Sequence, residues 1–333
     1  MTFAPRRAAA GLAVIAFVGA ACTSEQQSSP QPTLTSTTST TTIPVTSTTA
    51  APTTTTTTVA PTTEVTTTTT LPSGPADTLV PLLIGGADSA GWLFLGAWQQ
   101  DRWQEAADPS GNPIRPGIEA GTPFTVSNLG GETAAVLGEN TEACFDDRVG
   151  PTIDVAVDPP EPPGFGYNAV AVLTPPWPLK PRPIAVTAAA PAAYQELGEA
   201  AFEGEPVDAS QGNIEQLVVA DLDGDGDDEA LASFEFVQPT AAPGAPGDLA
   251  ALLLIDVETR AADTVLLSAV DQNADDETFP LIERYRVLDV ADLNGDGRME
   301  VLVHAWYYEG AAVIVYSYDG TELTEVLANG CGA

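Results

Sequence analysis

The chain has 333 residues, with 11 Lys and Arg against 46 Asp and Glu, for a formal net charge of −35. So acidic a surface repels phosphate backbones and anionic lipid head groups, which excludes electrostatic binding of nucleic acid. With one histidine and three cysteines there is no zinc cluster at these spacings, and any Ser-His-Asp site would have to use His304.

Residues 1–21 read as an export signal. Arg6 and Arg7 form its charged start, and Ala8 to Ala20 give an apolar run of 13 residues, too short to span a bilayer. Val18-Gly19-Ala20-Ala21-Cys22 resembles a bacterial lipobox, although Gly19 stands where Leu is usual. The resemblance implies cleavage and lipidation at Cys22; the alternative is an ordinary secretory signal. The expected location is therefore outside the cell, membrane-anchored through the lipid at Cys22. Loss of Arg6 and Arg7 leaves nine basic residues against 46 acidic ones, a net charge of −37.

Residues 22–75 are mostly Thr, Ser and Pro, including Thr53 to Thr58 and Thr66 to Thr70. Too few large apolar side chains are present to offset chain entropy, so a disordered tether is expected. It would reach roughly 170 Å fully extended and about 40 Å as a coil.

Residues 76–205 form the β-rich first part of the globular region. A hairpin is expected over Gly91 to Trp103, and its place at the start of the domain suits pairing with a strand from the far end. A Pro-rich stretch over residues 158–183 reads as extended connections across a surface, interrupted by a short strand at Val170 to Leu173. Trp177, within Pro-Pro-Trp-Pro, is the best candidate for an exposed aromatic that stacks on a ligand. A short helix is expected over Ala192 to Glu203, weakened by Gly198. Cys144 and Cys331 remain after Cys22, and in an exported chain two cysteines commonly pair; two free thiols are the alternative.

Residues 206–333 carry the most specific signal. Asp221-Leu222-Asp223-Gly224-Asp225-Gly226-Asp227-Asp228-Glu229 and Asp292-Leu293-Asn294-Gly295-Asp296-Gly297-Arg298-Met299-Glu300 share the pattern D-x-[DN]-G-D-G-x-x-E, 71 residues apart. Calcium takes six to eight oxygens at about 2.3–2.6 Å. Positions 1, 3 and 5 converge in a tight loop, which nominates Asp221, Asp223 and Asp225 in the first and Asp292, Asn294 and Asp296 in the second. Gly226 and Gly297 turn the chain, the carbonyls of Asp227 and Arg298 can face the ion, and Glu229 and Glu300 close the set. Two calcium ions are expected, the first loop binding more tightly because it offers four carboxylates against three and a neutral Asn. The alternative is a pair of metal-free Asp-Gly turns.

An EF-hand needs Glu at position 12, where this chain has Ala232 and Val303. A dockerin loop is followed by a helix, whereas Ala230 to Val237 and Val301 to Tyr308 read as strands, as do Leu217 to Val219 and Val287 to Val290 upstream. Hairpins follow at Leu252 to Leu267 and at Ala312 to Leu327, the second turning at Asp319-Gly320. A calcium loop between two strands, preceded by Val219-Ala220 and Val290-Ala291, resembles the FG-GAP/VCBS repeats of integrin-like proteins. The resemblance covers about 120 residues, with only two clear loops. It implies a mainly β fold, propeller-like or a partial propeller of ~70-residue repeats. It also implies an adhesion or ligand-binding module whose ligand is a surface protein or glycan.

Nothing in the chain spells out an enzyme. No G-x-S-x-G elbow accompanies His304, which in an apolar strand reads as a packed residue. The carboxylate groups Asp146-Asp147 and Asp275-Asp276-Glu277 read as solvated loops, with an exported polysaccharide hydrolase as the alternative function.

Overall fold

The computed structural model describes residues 80–85, 91–107, 118–144, 149–153, 167–187, 190–238, 244–274 and 280–332. These lie within the compact unit Thr70–Ala333. The expected export signal, Cys22 and the whole Thr-rich segment fall outside them, as do Asp146, Asp147, Asp275, Asp276 and Glu277.

The architecture is mainly β, in three antiparallel sheets. The first contains β1 (Val80–Gly85), β2 (Leu93–Gln99), β3 (Arg102–Glu105), β4 (Pro123–Asn128), β5 (Gly131–Glu142), β6 (Val149–Ile153) and β7 (Ala169–Leu173), in the order β3-β2-β1-β7-β4-β5-β6. The second contains β8 (Ala185–Thr187), β9 (Asn213–Ala220), β10 (Glu229–Phe236), β11 (Leu249–Asp256) and β12 (Ala262–Ala269), ordered β12-β11-β10-β9-β8. The third is a meander of β13 (Arg284–Ala291), β14 (Glu300–Tyr307), β15 (Gly310–Tyr318) and β16 (Leu323–Gly332). Strand β8, from the part expected to precede the repeats, is an edge of the second sheet, so residue 205 divides no sheet from another.

The last two sheets follow one plan. Each contains a four-strand meander, β9 to β12 or β13 to β16, with an acidic loop between the meander's first two strands and a hairpin after them. In both, the fourth strand pairs three residues and then bulges by one, at Val265 and at Val326. A bulge bends and twists its strand, so the two meanders are shaped at corresponding points.

The sheets stack because their strands are buried on both sides. On β11, Ala250, Leu252 and Leu254 point to one core while Leu249, Ala251, Leu253 and Ile255 point to another. The third sheet lies in the middle of the stack. Its Leu302, Val313, Val315 and Leu327 meet Leu82, Ile84, Leu95 and Val172 of the first sheet, and its Val287, Val301 and Val303 meet the second. The second sheet's other face is covered by α1 (Ala192–Ala200) and Phe202. Here Gly198 explains itself, since a Cβ on it would fall 2.3 Å from the Phe234 ring. The helix tolerates a glycine in exchange for close approach to the sheet.

The opening hairpin forms with a different partner from the expected one. Gln100 and Asp101 turn it with φ of 55° each, and β2 pairs with β1 and β3. The terminal strand β16 pairs with β15 and packs across the hairpin through side chains, with Asn329 Nδ2 donating to the Phe94 carbonyl at 2.7 Å. Backbone donors of β2 are already used inside its own sheet, so β16 has no ladder to join. The Cys144–Cys331 disulfide forms and ties β16 to the end of the first sheet across 187 residues of sequence. Closing a loop of that length removes roughly 5 kcal/mol of chain entropy from the unfolded state. Among the described residues no helix is long and apolar enough to cross a membrane.

Candidate functional site

The two acidic loops join β9 to β10 and β13 to β14, and they share one hydrogen-bond frame. The N–H of Leu222 donates to Glu229 Oε2 at 2.9 Å, and that of Leu293 to Glu300 Oε2 at 2.8 Å. Gly224 and Gly295 donate to Asp221 and Asp292, each at 2.6 Å. Asp225 donates to Asp223 and Asp227 to Asp225, just as Asp296 donates to Asn294 and Arg298 to Asp296. The glycines at positions 4 and 6 all take positive φ: 84° and 101° in the first loop, 80° and 88° in the second. A side chain there would strain the backbone. Leu222 and Leu293 at position 2 are fully buried, anchoring each loop in a different core.

In the first loop the side chains at positions 1, 3 and 5 converge, and among the described residues this is the only carboxylate group that does so. Oxygens of Asp221, Asp223 and Asp225 lie within 4.8 Å of one another. Two ligands of one calcium are at most about 5 Å apart, so this set fits a shared ion, and each carboxylate keeps lone pairs beyond those given to the backbone. Asp227 is exposed beside them and Glu229 is buried behind. Burial, aided by the charges of Asp223, Asp225 and Asp221, pushes Glu229 up to about 7. A carboxyl so placed favours a nearby cation.

The second loop is deeper. Asp292, Asn294 and Glu300 are buried, and Asp296 and Arg298 are exposed. Both oxygens of Asp292 accept backbone N–H groups, from Gly295 and from Gly297 at 3.0 Å. The Asn294 amide donates to Glu300 at 2.9 Å and to Asp296 at 3.3 Å. Burial pushes Asp292 up to about 6 and Glu300 well above the carboxylate range. A hard cation here would draw on the Asn294 side-chain oxygen and on carboxylate lone pairs beyond those already given to Leu293, Asn294, Gly295 and Gly297.

The described part of the Pro-rich stretch, residues 167–183, holds the expected short strand as β7 and then runs as a strap with Pro176, Pro178 and Pro183 exposed, while Trp177 and Leu179 turn inward and Arg182 reaches both loops. Trp177 is not the exposed stacking residue anticipated from Pro-Pro-Trp-Pro. Its indole is buried, Nε1 donates to the Asp292 carbonyl at 3.0 Å, and its ring lies against Gly295. An aromatic with one polar handle is well suited to that position. Leu179 is buried and its carbonyl accepts the Asp292 N–H at 2.7 Å. Lys180 pairs with the fully buried Asp289 at 2.9 Å and donates to the Asn128 carbonyl. Arg182 donates to the carbonyls of Asp221 and Leu222 in the first loop, and to that of Gly297 in the second at 2.7 Å. Sequence reasoning missed Lys180 and Arg182. The available signal was two cations, spaced by one residue, in a chain with very few.

His304 is packed on β14. Its ring stacks on Trp306 with centroids 4.8 Å apart, and Nε2 accepts the Tyr167 N–H at 3.4 Å. Burial pushes the imidazole down to about 4, which keeps it neutral. Trp306 also lies under the Arg284 guanidinium, 5.0 Å from the ring centroid. Arg284 and Arg286 both bind Glu235 of the second sheet, at 2.6 and 2.9 Å.

No protein-family model matches this chain, no curated protein matches it, and no solved structure matches it. The likeness to FG-GAP/VCBS repeats therefore rests on the loop residues and their setting between strands.

Proposed function

We propose that the two loops each hold a calcium ion, and that the β unit is a calcium-stabilised module for adhesion or ligand binding. It would be displayed outside the cell on the Thr-rich tether, anchored by a lipid at Cys22. The observation that carries the reading is the convergence of Asp221, Asp223 and Asp225 within 4.8 Å, on a loop frame whose main hydrogen bonds recur in the second loop. Metal-free turns need no such convergence of carboxylates and no buried Glu behind them.

On this reading the two meanders are successive blade-like repeats of FG-GAP/VCBS type, and the stack is a partial propeller. The matched loops and the matched bulges at Val265 and Val326 support it. Calorimetric titration of the chelated chain with calcium chloride tests the proposal. Two bound ions are expected, one lost in Asp225→Ala and the other in Asp296→Ala. A flat titration would refute it.

A further inference from the structure

The guanidinium of Arg182 lies between the loops and belongs to neither. Nη2 donates to Leu222 O at 2.8 Å and Nε to Asp221 O, while Nη1 donates to Gly297 O at 2.7 Å. A guanidinium is a rigid planar fork, so its N–H directions are fixed relative to one another. A second link runs alongside: Leu222 O also accepts the Met299 N–H of the other loop, at 2.8 Å. Arg182 is itself held, because the strap is anchored by Trp177 on Asp292 O and by Lys180 on Asp289. It has no freedom to follow one loop and leave the other.

We propose that Arg182 makes the two loops a single cooperative unit, so that loosening or filling one loop changes the other. Arg182 also carries charge to the loops, its Nε lying 3.7 Å from Asp221 Oδ1. A lysine at the position keeps that charge, so the comparison of the two residues isolates the backbone links, which act through geometry, and coupling of that kind is reciprocal. The part of the inference that concerns calcium rests on the reading of the loops as calcium sites; the mechanical part stands without it.

Gly226→Ala supplies a clean disturbance. Gly226 has φ of 101° with nothing within 4 Å of an added Cβ, so alanine strains the first loop without a clash or a change of charge. The readout is amide hydrogen exchange at Leu293, Gly295 and Gly297, in chelator, on the full chain. With Arg182 present, Gly226→Ala should speed exchange at these second-loop amides at least about fivefold. In Arg182→Lys, which keeps charge and stem but loses the fork, the same change should leave them within about twofold. Arg182→Gln serves for the comparison if the lysine variant does not fold. Unchanged second-loop exchange in Gly226→Ala, or an equal effect with and without Arg182, would overturn the proposal. With calcium chloride as the probe, Asp296→Ala should weaken binding at the first loop by a similar factor only when Arg182 is present. A wild-type chain that binds no calcium removes the calcium reading, and the chelator comparison still decides the coupling.

Discussion

The two loops carry nearly the same residues in the same frame, yet they sit in opposite environments. In the first loop five consecutive residues, Gly224 to Asp228, are exposed; in the second, Asp292 to Gly295 are all buried. The difference comes from outside the loops. Trp177 lies over Gly295 and caps the Asp292 carbonyl, whereas Gly224 meets only the Arg182 guanidinium and stays exposed, and nothing lies within 4 Å of a Cβ on Gly226. A motif therefore sets a backbone, while the strap that crosses it sets burial, polarity and the cost of leaving a charge unpaired.

The comparison is broken most severely at the shared anchor. Leu222→Ala and Leu293→Ala should each cost about 2–5 kcal/mol in denaturant unfolding, since both side chains are fully buried. Costs of similar size would show that the frames are equivalent; a negligible cost in either would mean that loop is not anchored as described.

Asn294→Asp sharpens the comparison by giving the second loop the first loop's ligand set. It removes the amide that donates to Asp296 and Glu300 and buries another carboxylate in its place. Stability in chelator should fall by about 1–3 kcal/mol, and calcium should restore more than it adds to the wild type. An equal loss with and without calcium would count against a cation there. Trp177→Phe keeps an aromatic ring but removes the indole N–H and part of the buried volume, so about 1–3 kcal/mol should be lost. Exchange should rise at second-loop amides first.

The smallest change lies away from the loops. His304 is the only histidine, so its titration is unambiguous in an NMR spectrum. Burial lowers its folded-state value to about 4, against 6.5 for an exposed ring. Between those limits the unfolded chain binds the extra proton, so this group withdraws stability as pH falls from 6.5 towards 4 and leaves it unaffected above 6.5. A midpoint near 6.5 would mean the ring is not packed as the structure has it.

Much of the second half was legible in sequence because its signals are local. The D-x-[DN]-G-D-G-x-x-E spacing fixes where strands stop and start, Asp319-Gly320 marks a turn, and a short β-branched and aromatic run marks β15. The cysteine pair was legible because Cys144 and Cys331 are the only cysteines left once Cys22 is set aside. What was not legible depends on distant partners. Proline-rich chain cannot donate many backbone bonds and so reads as surface, which Pro176, Pro178 and Pro183 are, but nothing local says that Trp177 and Leu179 between them will be buried or that Lys180 and Arg182 will find partners on distant elements. Likewise Gly91 to Trp103 announces a hairpin without saying that β1, rather than β16, will be its neighbour.

The most direct test of the account is thermal unfolding of the chain in calcium and in chelator, for the wild type and for Asp225→Ala/Asp296→Ala. Calcium at a hundred times its dissociation constant should add about 2.7 kcal/mol per site, raising the melting temperature of the wild type and not that of the double variant. The same melting temperature with and without calcium in both chains would contradict the account, leaving the loops as turns that hold no ion.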